Sequence, residues 1–155
     1  MAAPNVREVP YVNRHGFSMI ELLIVIIIFS MLTVAAFPTI SRITTHSRVN
    51  QAAMVVAQDL AQAVTVAERQ RKPVRLARGS DMKSIILSDR ASGSVLSTRV
   101  LGRGDVYSLD SVSLSVVPVD VFPNGFTSSA LTVTVWAGGY SRQVTMSRAG
   151  WVRVP

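Results

Sequence analysis

Twenty-one consecutive residues, Phe17 to Phe37, read FSMIELLIVIIIFSMLTVAAF and carry one ionisable side chain, Glu21. As a helix they rise ~31 Å at ~1.5 Å per residue, which is the thickness of a bilayer's hydrocarbon core. A helix that is apolar on every side has no polar face to turn to water, so this run is expected to cross a membrane. The residues before it carry Arg7 and Arg14 against Glu8. By the positive-inside rule the short N-terminus lies in the cytoplasm and everything after Pro38 lies on the other side.

Three readings of this N-terminus compete. A secretory signal peptide would be cut after the apolar run, where Val34-Ala35-Ala36 offers a small-residue site, but the run is long for such a segment and contains a carboxylate. A plain uncleaved anchor is the second. The third places the cut before the run, between Gly16 and Phe17. Glu21 favours it, because an acid inside lipid costs roughly 2.5–3.5 kcal/mol and is retained for a reason. A cut after Gly16 makes a new α-amino group on Phe17, four residues from Glu21, able to neutralise it within one subunit or between staggered neighbours. The bland alternative sets Glu21 near the interface, favoured by the positive end of its own helix.

The stretch Arg14-His15-Gly16-Phe17-Ser18-Met19-Ile20-Glu21-Leu22-Leu23 resembles the type IV prepilin cleavage and methylation motif, G-F-T-L-I-E-L, with Ser18 and Met19 in place of Thr and Leu. The resemblance implies cleavage after Gly16 by a prepilin peptidase, N-methylation of Phe17, and pairing of Glu21 with a neighbouring subunit's N-terminus. A protease subsite that admits only hydrogen would explain Gly16. Pro38 falls where such proteins often bend the helix, and a proline inside a helix is expected to kink it there.

Beyond Pro38, Ile40, Ile43, Val49, Ala52, Ala53, Val56, Leu60, Ala63, Val64 and Ala67 recur at helical spacing, which predicts an amphipathic continuation to about Arg71. Thr44-Thr45-His46-Ser47 is its weak interval, a frayed turn with His46 solvated, and Pro73 closes the helix. After Pro73 the period becomes two. The expected strands are 74–77, 83–88, 95–101, 112–117, 131–137, 142–147 and 151–154, with Gly138-Gly139 joining the clearest hairpin. The predicted fold class is therefore α+β: a long N-terminal helix packed on a C-terminal antiparallel β domain. Its parts are a leader 1–16, a membrane and filament-core helix 17–37, an amphipathic continuation 38–72 and a β domain 73–155. Trp136 and Trp151 are expected in the core or at a sheet edge.

Phe122-Pro123-Asn124-Gly125-Phe126, the hairpin, and the closing Val144-to-Arg153 segment containing Gly150 look like the end of the GspH/FimT family. Ala63–Lys72 is also similar to a region of it. That family comprises minor pseudopilins of type II secretion systems and minor pilins of type IV pili. The resemblance implies a pilin-like subunit in a hetero-oligomeric filament with other pilins or pseudopilins, anchored in the bacterial inner membrane and processed by a prepilin peptidase and N-methyltransferase.

No catalytic constellation is present. Neither histidine, His15 or His46, lies in the β domain to serve a serine as base, and Asp81, Asp89, Asp105, Asp110 and Asp120 lack metal-loop spacing. Gly102-x-Gly104 lacks the context of a phosphate loop. There is no cysteine. Neither enzyme activity, cofactor nor metal is expected.

The leading functional expectation is a structural role in a type II secretion pseudopilus, serving export of folded proteins through the outer membrane. The alternative, less favoured, is a FimT-like minor pilin that binds DNA in natural transformation. Residues 39–155 hold fourteen of the sixteen Lys and Arg and seven of the nine acids, a balance of +7. Arg69, Arg71, Lys72, Arg75 and Arg78 form one dense group, and Arg142, Arg148 and Arg153 are the candidate phosphate contacts near the end. DNA-binding relatives carry a basic residue directly after the terminal glycine, whereas Gly150 is followed by Trp151, which leaves only Arg153 of that pair.

Overall fold

The computed structural model describes residues 16–102 and 104–155, so residues 1–15 of the expected leader 1–16 (with Arg7, Glu8, Arg14 and His15) and Arg103 lie outside the described residues. Its first element, α1, spans Met19–Gln70, so Pro38 does not end the helix. The chain divides into two compact units, one up to Thr39 and one from Ile40 to Pro155.

In the first unit every described side chain from Phe17 to Phe37 is exposed. Its hydroxyls are satisfied within the helix: Ser30 donates to the Ile26 carbonyl at 2.7 Å and Thr33 to the Phe29 carbonyl at 2.8 Å. Hydroxyls that bond back to the preceding turn need no water and are tolerable in lipid.

In the second unit α1 buries one stripe, in which Val49, Ala52, Ala53, Val56, Leu60, Ala63 and Ala67 are all 0–1% exposed. Steps of three and four keep these residues on one face, and the alanines let a sheet approach closely. Ile40 and Ile43, expected in the stripe, are instead 59% and 63% exposed. The weak interval is helical rather than frayed: Thr44 and Thr45 both donate to the Ser41 carbonyl, and the His46 ring stacks on Tyr140, centroids 4.0 Å apart. Arg71, at φ 53°, takes the left-handed turn that ends the helix before Pro73.

Among the described residues eight strands follow: β1 Val74–Arg78, β2 Ser84–Asp89, β3 Val95–Val100, β4 Ser111–Leu114, β5 Val119–Val121, β6 Leu131–Ala137, β7 Tyr140–Met146 and β8 Val152–Arg153. They form two antiparallel four-stranded sheets, β3-β2-β1-β5 and β4-β6-β7-β8. All seven expected strands are present. The eighth, β5, escaped periodicity because it is three residues long and lies just after Pro118. Its place comes from a partner far away in sequence: Asp120 stands opposite Arg75 in the β1–β5 register and accepts from its Nε at 2.8 Å. The hydrogen bond to Asp120 raises the pKa of Arg75, and Arg90 Nε approaches the same carboxylate at 3.2 Å.

The β6–β7 hairpin turns on Gly138 (φ 55°) and Gly139 (φ 81°), the two positive angles that a two-residue turn of right twist requires. In β6 Leu131, Val133, Val135 and Ala137 face inward, joining Val144 and Met146 of β7 and Val74, Leu76, Ile85 and Val119 of the other sheet against the helical stripe.

Candidate functional site

Gly16 and Phe17 precede α1 as exposed chain outside any helix or strand. A Cβ built at Gly16 meets nothing within 4 Å, and the residue does not occupy the left-handed region. Nothing in the described chain therefore demands glycine at this position, and a requirement for one must come from whatever binds it. Ser18 begins the helix as its cap. Its Oγ accepts the Glu21 N–H at 3.2 Å and its carbonyl accepts the Leu22 N–H at 3.2 Å. Ser-x-x-Glu is the capping-box pattern, so Ser18 fills the same capping role a threonine would. Glu21 thereby sits in the first turn, at the positive end of the helix dipole and four residues from Phe17. In the sequence the signal for this cap is the three-residue spacing of Ser18 and Glu21.

The three candidate phosphate-binding arginines do not share a surface. Arg142 lies on the helix-facing side of β7, where its Nε donates to Asn50 Oδ1 at 2.9 Å and its Nη1 to the Pro155 carbonyl at 2.8 Å. Arg153 pairs with Thr145 in register and so stands on the opposite face of that sheet. Arg148 is exposed in the loop before Gly150. In the dense basic group Arg75 is held by Asp120; outside that group, Arg99 makes a two-pronged pair with Asp59 at 2.7 and 2.9 Å.

Neither tryptophan is in the core: Trp136 is 47% exposed and Trp151 74%. The alternation of β6 carries that signal, because Trp136 shares parity with Thr132 and Thr134 and opposes Leu131, Val133 and Val135. The Phe122–Phe126 segment and the terminal glycine, far apart in sequence, meet. A Cβ at Gly150 would lie 2.5 Å from the Gly125 carbonyl oxygen.

Residues 12–37 match the family described as the prokaryotic N-terminal methylation motif. No curated protein matches the chain. Among solved structures it is similar to the type IV minor pilin FimU of Pseudomonas aeruginosa, at 21% identity and a TM-score of 0.59, over 72% of this chain and 91% of that one. It is also similar to the minor pseudopilin EpsH from the type 2 secretion system of Vibrio cholerae, at 14% identity and a TM-score of 0.55, over 70% and 96%. The chain thus carries an N-terminal methylation motif at the head of a fold that it shares with a minor pilin and a minor pseudopilin.

Proposed function

We propose that the chain is a minor subunit of a type II secretion pseudopilus. It is cut between Gly16 and Phe17, methylated on Phe17, and held first in the inner membrane and then in the filament by its apolar N-terminal segment. One observation carries this reading: an apolar first half of α1 whose described side chains are exposed, with an acid in its capped first turn, headed by a glycine that its own described surroundings do not require. Exposed apolar side chains need lipid or other helices, and subunits of like construction supply the second. Cleavage creates an ammonium at Phe17. The terminus of a neighbouring subunit can then neutralise Glu21 and register each subunit against the last, as polar groups set register in coiled coils. The 40–155 unit stays outside the helical core of the filament and contacts other minor subunits.

Mass spectrometry of the mature chain tests the processing. The expected product begins with N-methylated Phe17, and one beginning at Phe37 overturns the membrane anchor. For assembly, Glu21→Gln is expected to remain in the membrane fraction yet vanish from sheared filaments. Undiminished incorporation would refute the pairing.

A minor type IV pilin that captures DNA is the second reading, resting on the +7 balance of residues 39–155. The separation of Arg142 from Arg153 counts against it. A gel shift of duplex DNA with the full chain decides: affinity that falls steeply with salt supports the second reading, and no binding at low salt removes it.

A further inference from the structure

We propose that the outer face of the sheet β4-β6-β7-β8 is a binding platform for a neutral oligosaccharide. Cross-strand register builds this face. Its middle row is Ser113–Thr134–Gln143, and its next is Thr132–Thr145–Arg153. Trp136 stands at one end of β6. At the other end Trp151 is paired through the backbone with Ser147, whose N–H donates to the Trp151 carbonyl at 2.9 Å. Six residues of strand separate the two rows, so the indoles lie roughly 20 Å apart along the sheet at ~3.3 Å per residue.

The chemistry of the face selects the ligand. The chain carries sixteen cations and nine acids, yet these four strands hold only two charged residues. Arg142 turns inward, leaving Arg153 alone on the outer side. One cation cannot bind a polyanion, which needs several to displace its counterions. The rows between the tryptophans are hydroxyls and an amide, not the continuous apolar surface that a membrane or an obligate protein partner requires. Hydroxyls and amides both donate and accept, which matches a ligand bearing hydroxyls on every edge. Exposed indoles offer flat apolar plates on which the C–H faces of pyranose rings stack. At the Trp151 end a shallow groove of about 500 Å³ is lined by Thr132, Thr145, Trp151 and Arg153. There an indole plate and a forked donor stand side by side.

The test uses the full chain in lauryldimethylamine oxide micelles, a detergent without sugar. Both tryptophans of the chain lie on this face, so intrinsic fluorescence reads it directly. Cellohexaose and chitohexaose are titrated in separate arms. A saturable change is expected with at least one, and the arm that responds tells a plain glucan from an N-acetylated chain. Calorimetry on Trp136→Ala and Trp151→Ala is expected to show at least tenfold weaker binding for each, with circular dichroism melting unchanged. Raised salt should leave the affinity within about twofold, because neutral contacts are not screened. Absence of a saturable response in both arms overturns the proposal. So does wild-type affinity in both tryptophan variants, or displacement of the sugar by duplex DNA.

Discussion

At Gly150 the backbone takes φ 75°, and an added Cβ would meet the Gly125 carbonyl oxygen at 2.5 Å and Val64 at 3.6 Å. Gly150→Ala therefore combines strain in the left-handed region with a clash against main chain, which cannot move as a side-chain tip can. It is expected to cost about 1–3 kcal/mol in denaturant unfolding. Gly139→Ala, whose Cβ meets nothing within 4 Å, carries the conformational part alone and should cost less. Two aspartates contribute to stability on the acid side. The Lys83 N–H and the Ser84 hydroxyl lower the pKa of Asp81, and the N–H groups of Ser92 and Ala91 lower that of Asp89. Each carboxyl is more acidic folded than unfolded, so unfolding takes up protons. The stabilisation is complete above the ordinary carboxylate range, near pH ~4, and fades as pH falls through the folded values. The melting temperature should fall on acidification below that range, and less steeply in the double variant Asp81→Asn, Asp89→Asn.

Within α1 the buried and exposed faces of the amphipathic half make a direct comparison. Leu60 is 1% exposed beneath the sheets, while Met54, on the same helix, is 63% exposed. Leu60→Ala should destabilise by about 2–5 kcal/mol through lost burial and a residual cavity. Met54→Ala should stay within about 0.5 kcal/mol. Urea titrations of both variants check the contrast. Periodicity located this stripe from Val49 onward, because side-chain direction in a helix follows from its own geometry. It overran at Ile40 and Ile43, since spacing says which residues share a face and not where the opposing sheets stop. The strands divide in the same way. The pattern Leu131-Val133-Val135 declares β6 by itself, whereas Val119–Val121 becomes a strand only because Arg75 and its neighbours pair with it.

Across residues 40–155 the buried apolar set begins at Val49 and ends at Met146, and no described residue before Ile40 contributes to it. A chain starting at Ile40 should therefore fold alone, dissolve without detergent, and melt within a few degrees of the full chain in micelles. Calorimetry checks this, and a shift much larger than that would mean the N-terminal segment supports the core. The apolar N-terminal helix, the methylation motif, the amphipathic stripe and seven of the eight described strands were legible without coordinates. Each depends on residues adjacent or a few places apart: transfer of an apolar run into lipid, a helical period, or strand alternation. The partnership of Asp120 with Arg75 and Arg90, the meeting of Gly125 with Gly150, the turning of Arg142 away from Arg153, and the His46–Tyr140 stack became visible only in the fold. Their cause is contact between residues tens of positions apart, which no local pattern encodes.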